Sequence, residues 1–339
     1  FAVLPALRKA LEAVAEPFED GGLSIELAAS VGVDVWPDTG EERVADARPR
    51  AAATMIDRAA DALRKAKETR RGSFRFADDD VDTLMRERVR VEQELRDALA
   101  TDQLLLHYQP RIDLATGAID SVEALVRWLH PERGLLKPAD FLPLVEEVQL
   151  GQALFEWGLE RACRQAKRWQ AERTPRRVAV NISPQALERH DLAATVKAAL
   201  QRHDLHPALL EIEVSERTAL ATLEANAVRL GELRAMGVRV ALDDFGVAQA
   251  SLQHLRELPL DGLKIDRTFV ARLGEQAPGE DVDMLRAIIG IGRSLKLRVT
   301  AEGVETRAQN ALLRSLRCDE AQGFLFSQPV PAEFVPVVA

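Results

Sequence analysis

The residues of this chain best suited to chemistry are polar side chains at or near the carboxyl ends of short apolar runs. Each run has the length and residue types of a buried β-strand. Five carboxylates, one amide and one lysine are placed in this way: Glu123, Asn181, Glu213, Asp243, Asp244, Lys264 and Glu302. Gln322 opens a further run of the same kind. If these runs end at one rim, the side chains form a single acidic site.

Oxygen ligands of this kind suit Mg²⁺ or Mn²⁺. Carboxylates within about 4–6 Å of one another raise each other's pKa unless a cation lies between them. The adjacent Asp243 and Asp244 offer a ligand that two metal ions about 3.5–4 Å apart can share, which is the arrangement used for in-line phosphoryl chemistry. No histidine stands at these run ends, which argues against zinc.

Each of these residues also has a purely structural explanation. A single acidic residue at a strand end is usually a turn or capping residue, and Ser183-Pro184 is typical of a helix start. Lys264 is harder to explain in this way, because a lysine between Leu263 and Ile265 in a strand either extends its charge to solvent or takes part in chemistry. The coincidence across six runs favours the functional explanation.

The elements that would position these residues alternate between strand and helix patterns over residues 101–339. Eight runs predict strands: 104–109, 121–128, 178–182, 210–214, 238–243, 262–265, 299–301 and 322–326. Helical patterns cover 139–171, 184–203, 216–236, 281–295 and 307–316. This alternation predicts an α/β fold, either a barrel or a doubly wound sheet, and its nearly eightfold repeat favours the barrel. The strand ends of such a barrel converge on one rim.

Two further regions precede this one. Residues 1–77 predict a small α/β domain, with helical spacing over 4–14 and 51–67 and strand-like alternation over 23–35. Residues 78–100 predict one amphipathic linker helix, in which Glu92 and Arg96 form an i,i+4 pair. A solvated linker is the plain interpretation of this helix, and a signalling lever is the more specific one.

Composition limits the function classes. The chain has 45 basic and 54 acidic residues, a net charge of −9, whereas a general DNA or RNA binder needs a basic surface. Cys163 and Cys318 have no metal-site or disulfide spacing, which predicts a reducing, cytoplasmic environment. No apolar run reaches the ~18 residues that a membrane span needs. The chain begins at Phe1, and we expect a fragment of a longer product with room for an upstream membrane anchor.

Residues 101–339 resemble the EAL-domain family of cyclic di-GMP phosphodiesterases. The matching motifs occur in the family's order: Tyr108-Gln109-Pro110, Glu123-Ala124-Leu125-Val126-Arg127-Trp128, Val180-Asn181-Ile182-Ser183, Glu213-Val214-Ser215-Glu216, Asp243-Asp244-Phe245-Gly246, Leu263-Lys264-Ile265-Asp266, Ala301-Glu302-Gly303-Val304-Glu305-Thr306 and Gln322-Gly323-Phe324. The resemblance implies a modified TIM-type (β/α) barrel with one antiparallel strand. It also implies hydrolysis of one phosphodiester of cyclic di-GMP to linear pGpG.

The resemblance assigns roles by motif position. One Mg²⁺ or Mn²⁺ ion would be held by Glu123, Asn181, Glu213 and Asp243, and Asp243, Asp244 and Glu302 would contribute to a second ion. Catalytic roles fall to Lys264, Glu302 and Glu123. Substrate contacts are implied for Gln109, Leu125, Arg127, Glu305 and Gln322. The family also suggests a homodimer through the EAL domain.

One loop departs from the family pattern. After Asp-Phe-Gly the family continues Thr-Gly-Tyr-Ser-Ser-Leu, whereas residues 247–252 of this chain are Val-Ala-Gln-Ala-Ser-Leu. The resemblance implies that Glu216 anchors this loop and leaves Ser251 as a hydroxyl partner. Metal ligands need such support from their neighbours. Two functions therefore stay open: a phosphodiesterase with reduced turnover, or a receptor that binds cyclic di-GMP without useful turnover.

Residues 1–77 resemble the C-terminal part of a GGDEF (diguanylate cyclase) domain. The similarity lies in residues 1–5, 30–37 and 58–67, with Ala60 and Arg64 in place of the usual Asp and Tyr. The signature loop and the nucleotide-binding strands before it are missing from this sequence. We therefore expect a partial, degenerate module and no cyclase activity from this chain.

Overall fold

The computed structural model describes residues 3–20, 23–25, 27–34, 48–69, 73–247, 251–273 and 279–336. The chain forms two compact units, Phe1–Gln93 and Glu94–Ala339. Residues 1–2, 35–37 and 248–250, which enter the family resemblances, lie outside the described residues.

The first unit combines helices with two small sheets. Helix α1 (Val3–Ala15) precedes an antiparallel hairpin of β1 (Phe18–Asp20) and β2 (Leu23–Ile25). Strands β3 (Val31–Val33) and β4 (Phe74–Phe76) pair in parallel, with helix α2 (Arg48–Thr69) between them in the chain. At Gly32 a Cβ atom would lie 1.9 Å from the carbonyl oxygen of Ala59, so only glycine allows α2 to approach β3 this closely. Helix α3 (Asp79–Ala100) follows, and the division between the units falls within it.

Among the described residues, the second unit has nine strands, eight of which form a closed barrel. In chain order the strands are β5 (Leu104–Asp113), β6 (Ser121–His130), β7 (Gly134–Leu136), β8 (Arg177–Asn181), β9 (Leu210–Ser215), β10 (Arg239–Phe245), β11 (Gly262–Ile265), β12 (Arg298–Ala301) and β13 (Glu320–Ala321). Strand β7 only extends β6 as a hairpin. Strand β5 closes the barrel and runs antiparallel to β6 and β13, while the other neighbours within the barrel are parallel. The predicted modified TIM-type barrel with one antiparallel strand is confirmed.

The second unit has more helices than the sequence pattern predicts. The elements are α4 (Pro138–Glu147), α5 (Gly151–Ala171), α6 (Pro184–Leu187), α7 (Leu192–Arg202), α8 (Glu216–Ala221), α9 (Leu223–Ala235), α10 (Leu252–Glu257), α11 (Arg267–Ala271), α12 (Gly279–Ser294) and α13 (Arg307–Ser315). Three predicted helices are each split in two, and Gln149 separates α4 from α5 with a left-handed φ of 57°. In the described part of the chain, no helix has the length and apolarity to cross a bilayer.

The predicted strand over 322–326 is wrong, because β13 is the short segment just before it. Gly323 lies against the backbone of Val304, where a Cβ atom would come within 2.1 Å of the carbonyl oxygen. This contact turns the chain out of the sheet. Gln322 therefore follows a strand rather than opening one.

Alternation along the strands separates an apolar layer from a charged barrel interior. Leu210, Ile212 and Val214 of β9 belong to the hydrophobic core. The intervening Glu211 and Glu213 are equally buried and pair with Arg111 inside the barrel. A TIM-type barrel is ordinarily filled with branched apolar side chains. Here its centre is ionic, which places charged groups directly beneath the strand ends.

Candidate active site

The structure brings together the seven polar residues predicted from the strand ends. Ligand atoms of Glu123, Glu213 and Asp243 lie within 4.8 Å of one another, and so do those of Asp243, Asp244 and Glu302. We call these five carboxylates the acidic cluster. Asp243 belongs to both of its groups. Such a pair of groups sharing one carboxylate has the composition of a two-cation site built from oxygen ligands.

Two adjacent aspartates point to the same site because β10 is irregular at its end. Successive residues of a regular strand face opposite sides of the sheet. The pairing of β10 with β11 shifts register between Leu242 and Phe245, and Asp244 has a left-handed φ of 55°. Aspartate tolerates this conformation better than most residues. The bulge thereby breaks the alternation and lets Asp243 and Asp244 share the cluster.

Lys264 lies at the centre of the acidic cluster. Its Nζ atom is 2.7 Å from Glu302 Oε1, 3.0 Å from Glu213 Oε2 and from Asp243 Oδ2, and 3.3 Å from Glu123 Oε2. Burial alone lowers the pKa of this ammonium group, but the four carboxylates raise the pKa well above its usual value. The four carboxylates therefore favour the charged form of Lys264.

One lysine does not neutralise the cluster. Burial, reinforced by Asp243 and Glu123, raises the pKa of Glu302 to about 8 despite the opposing charge of Lys264. Burial likewise raises the pKa of Glu213 well above its usual value, and burial followed by Asp243 raises that of Asp244. Glu123 differs: burial raises its pKa, but Lys264 and Arg111 outweigh burial and bring it to about 2. The cluster lacks positive charge, which a divalent cation would supply.

Without a divalent cation, we expect the free energy of unfolding to fall as the pH rises from about 4.5 to about 8. Over this range the folded Glu302 carboxyl keeps a proton that the unfolded chain has already released, so the unfolded state gains in stability. Mg²⁺ or Mn²⁺ should then raise the melting temperature more at pH 8 than at about pH 5. Glu302→Gln is the control and should flatten the profile; equal metal-induced shifts at both pH values would contradict the expectation.

Three amides complete the surroundings of Glu123. Asn181 Nδ2 donates to Glu123 Oε1 at 2.8 Å, and Gln322 Nε2 donates to Glu123 Oε2 at 2.8 Å. Gln322 Nε2 also donates to Gln109 Oε1 at 2.9 Å, and Gln109 Nε2 donates to the carbonyl oxygen of Ser327. Both carboxylate oxygens of Glu123 are thus oriented by neutral donors.

A cavity of about 310 Å³ opens over the acidic cluster. Glu123, Asp243 and Glu302 line it on the acidic side, and Gln109, Leu125, Glu305 and Gln322, all predicted substrate contacts, line it as well. Arg267, Phe324 and Pro329, which were not predicted as site residues, lie in the same wall. Phe324 belongs to the matched motif Gln322-Gly323-Phe324, and this motif was the available signal. Its ring is 60% exposed and offers a flat apolar surface to a planar group.

A second cavity, of about 360 Å³, adjoins the first through Leu125. Its walls are mostly apolar and come from β6 and from helices α4 and α5, while Asn181 and Asp244 contribute at the edge of the acidic cluster. The indole N–H of Trp157 lines this cavity and has no hydrogen-bond partner among the described residues. The acidic cluster thus contributes residues to the walls of both cavities, Asp244 to one and Glu123, Asp243 and Glu302 to the other.

Arg127 lies on the same face of β6 as Glu123 and Leu125, two residues further along the strand. Its guanidinium donates to the carbonyl oxygen of Val126 at 2.7 Å. Burial lowers the pKa of Arg127, and Glu123 partly offsets this effect. Among the described residues, Arg127 is not part of either cavity wall.

Glu216 contacts the start of the loop that departs from the family pattern. Its Oε2 atom accepts a hydrogen bond from the backbone N–H of Gly246 at 2.8 Å. Gly246 has a φ of 100°, and a Cβ atom there would come within 2.6 Å of the Phe269 ring. Ser251 lies at the far end of the loop, where its hydroxyl caps α10 by accepting from the N–H of His254. Residues 248–250 between them are outside the described structure.

Comparisons with known proteins give one consistent result. The family model described as "EAL domain" matches residues 92–329. The bifunctional diguanylate cyclase/cyclic di-GMP phosphodiesterase MucR of Pseudomonas aeruginosa is 37% identical over 326 residues, 96% of this chain and 46% of that protein. The cyclic di-GMP phosphodiesterase PdeR of Escherichia coli is 34% identical over 333 residues, 96% of this chain and 49% of that protein.

Solved structures agree with this result. A structure of the MucR phosphodiesterase in complex with c-di-GMP has 43% sequence identity to this chain and a TM-score of 0.69, covering 72% of this chain and 98% of that one. The chain spans about half the length, or less, of the curated relatives that it matches.

Proposed function

The chain belongs to the EAL-domain family, and from that premise we propose that it hydrolyses one phosphodiester bond of cyclic di-GMP to give linear pGpG. MucR and PdeR carry names that include cyclic di-GMP phosphodiesterase. The observation that carries the proposal is the pair of carboxylate groups that share Asp243 beneath an open cavity. An acidic cluster alone repels a phosphodiester, so the cluster must act together with bound cations.

The donor set fits two divalent cations, and we propose Mg²⁺ or Mn²⁺. Glu123, Asn181, Glu213 and Asp243 would hold one ion, and Asp243, Asp244 and Glu302 would contribute to the other. The ligands are all carboxylate or amide oxygens, which these hard cations prefer. Burial, with a contribution from neighbouring carboxylates, raises the pKa values of Glu213 and Glu302, and a bound cation would offset both effects. When bound, such ions lower the pKa of a water molecule and stabilise charge on phosphoryl oxygens.

The side chains of this chain would complete the reaction. The oxygen of one water molecule would bond to phosphorus as that water gives up a proton. The bond from phosphorus to one ribose oxygen, opposite to the attack, would break, and this oxygen would take up a proton to become a hydroxyl group. Lys264 Nζ is surrounded by Glu123, Glu302 and their neighbours, so its N–H groups would orient the attacking water or donate to a phosphoryl oxygen. Glu123 and Glu302 hold this ammonium group in place.

The two cavities would bind the remainder of the ligand. Phe324 and Leu125 line the first cavity, and we propose that one guanine base packs against them. The second guanine would enter the apolar cavity beside α5. Gln109, Glu305 and Gln322 would contact the sugar-phosphate ring, and Arg127 would contact a phosphate, since a guanidinium can donate two parallel hydrogen bonds.

For the whole protein we propose an organisation into three parts. Residues 1–77 would be a partial GGDEF-like module without cyclase activity, residues 78–100 a linker helix, and residues 101–339 the phosphodiesterase domain. We further propose a cytoplasmic homodimer formed through the phosphodiesterase domain, with no nucleic-acid partner. The net charge of −9 supports the last point.

The direct test is incubation of the purified chain with cyclic di-GMP and either Mg²⁺ or Mn²⁺, with nucleotides separated by chromatography. We expect pGpG to form only when a divalent cation is present. Intact cyclic di-GMP with both metals, from protein that is folded by circular dichroism, would contradict the proposal. In that case the affinity for cyclic di-GMP would test the receptor function that the altered loop leaves open.

Restoring the loop should raise turnover. Val247→Thr, Ala248→Gly and Ala250→Ser return two hydroxyls and a glycine to the segment that follows Asp244. Loss of a group that supports a metal ligand commonly lowers metal affinity or activity by about 10–100-fold. Because the triple variant restores such groups, we expect its kcat to be at least tenfold higher than that of the parent chain. Val228→Thr, at another exposed valine, is the control. An unchanged kcat would show that loop assembly does not limit turnover.

A further inference from the structure

We propose that Arg111 is a positioning residue for the cation site, acting directly on Glu213 and through Gln322 on Glu123. The inference rests on the proposed function of the acidic cluster. Arg111 lies in β5, which is the antiparallel strand that closes the barrel. Its side chain is fully enclosed in the barrel interior, with only 1% exposed.

The guanidinium of Arg111 uses three of its nitrogens on three different acceptors. Nη2 pairs with Glu213 Oε1, Nη1 donates to Glu211 Oε1 at 2.6 Å, and Nε donates to Gln322 Oε1 at 3.1 Å. Glu213 Oε2 contacts Lys264 Nζ on the other side. The Glu213 carboxylate therefore lies between two positively charged side chains, Arg111 at Oε1 and Lys264 at Oε2. These two contacts fix its orientation.

The contact with Gln322 determines which way that amide faces. Because Arg111 Nε–H occupies the amide oxygen, the amide NH₂ group must point to the opposite side, where it donates to Glu123 Oε2 and Gln109 Oε1. A reversed amide would place two donors against each other at Arg111. One planar guanidinium thus orients two of the four proposed ligands of one ion, Glu213 directly and Glu123 through Gln322.

A second buried arginine provides a matched comparison. Arg177 lies one layer deeper in the same interior and pairs with Glu211 and Glu320. It is also buried, and it shares Glu211 with Arg111. None of its described contacts reaches the acidic cluster. A substitution of Arg177 therefore disturbs the same ionic core without touching Glu213 or Gln322.

Arg111 keeps its charge in this setting. Burial alone lowers its pKa, but Glu213, Glu211, Glu123 and Glu320 raise it well above its usual value. Lysine at this position would keep the charge and lose the planar set of three donors. Arg111→Lys therefore separates the geometry of the guanidinium from its charge.

The test is direct titration of the full chain with Mn²⁺, followed by the electron paramagnetic resonance signal of the free ion, without nucleotide. We expect Arg111→Lys and Arg111→Met to weaken Mn²⁺ binding by about 10–100-fold, the usual effect of losing a group that orients a metal ligand. Arg177→Lys should leave Mn²⁺ binding near that of the parent chain. Melting temperatures in EDTA measure the general loss of stability in all three variants.

Parent-like Mn²⁺ binding by both Arg111 variants would overturn the inference. Equal weakening in Arg111→Lys and Arg177→Lys, with equal losses of melting temperature, would also overturn it, because the role would then be general to the ionic core. If the Arg111 variants do not fold, Gln322→Met removes the amide that connects Arg111 to Glu123, together with its hydrogen bond to Gln109. Unchanged Mn²⁺ binding by Gln322→Met would overturn the part of the inference that concerns Glu123. A parent chain that binds Mn²⁺ but forms no pGpG would contradict the proposed function. Mn²⁺ binding by the Arg111 and Arg177 variants would still decide whether Arg111 positions the ligands.

Discussion

We expect Asp243→Asn to lower the proposed turnover of cyclic di-GMP by about 10³-fold or more, equivalent to about 4 kcal/mol of transition-state stabilisation. The substitution keeps the shape of the side chain and removes one negative charge. Asp243 is the carboxylate common to both groups of the acidic cluster, and its Oδ2 atom is 3.0 Å from Lys264 Nζ. No other residue of the cluster can weaken both proposed ions at once. Initial rates of pGpG formation with saturating Mn²⁺ measure the effect.

Asp261→Asn is the matched control for this prediction. Asp261 precedes β11 at the opposite end of the barrel, where it accepts from Arg234 and from the backbone N–H of Val240. Its loss should lower the melting temperature and leave kcat unchanged. If Asp243→Asn kept its turnover within tenfold of the parent chain, the assignment of Asp243 as the shared ligand would be wrong.

For Lys264→Met we expect a different pattern: turnover should fall by about 10³-fold, while Mn²⁺ should bind as tightly as before, or more tightly. The ammonium group lies among four carboxylates, where its charge opposes the uptake of further cations. Its removal takes away the group that would donate to water or to a phosphoryl oxygen, an interaction of several kcal/mol when preorganised. Methionine fills a similar volume, so the barrel interior remains packed.

Two measurements check this result, the rate of pGpG formation and the Mn²⁺ affinity of the same preparation. Lys296→Met removes an exposed lysine in the turn that precedes β12. This substitution should change neither the rate of pGpG formation nor the Mn²⁺ affinity. Weaker Mn²⁺ binding with unchanged turnover in Lys264→Met would mean that the lysine only assembles the cluster. Together with Asp243→Asn, this variant separates binding of the cations from use of the cations in the reaction.

Neither substitution removes a member of the ionic core that lies beneath the acidic cluster. The ionic core continues below the cluster from Arg111 through Glu211 and Arg177 to Glu320. Arg111 and Arg177 each lie between two carboxylates, so the charges in the layer beneath the acidic cluster are balanced. Breaking a buried ion pair in this deeper layer, as in Arg177→Met, should lower the free energy of unfolding by about 3–5 kcal/mol. It should have no specific effect on cation binding.

Much of the site was predictable because its residues lie in short motifs at the ends of apolar runs. Lys264 between two apolar neighbours and the adjacent Asp243 and Asp244 were recognisable from local context alone. Strand–helix alternation predicted the barrel, since each parallel strand needs a helix to return the chain. Helix ends and the eighth strand were predicted less well. The left-handed turn between α4 and α5 falls on Gln149 rather than on a glycine, and the turn at Gly323 involves the distant backbone of Val304.

Residue types and their order along the chain already establish an α/β barrel with carboxylates at the carboxyl ends of its strands. Closure of the barrel adds contacts between residues that are far apart in the sequence, which no local sequence pattern predicts. It brings Arg111 of the antiparallel strand within reach of Glu213, 102 positions away, and of Gln322, 211 positions away. The bulge at Asp244 turns two neighbouring side chains to one side. Side-chain alternation is a property of one strand, whereas pairing across the interior depends on which strands meet, and only the folded chain brings them together.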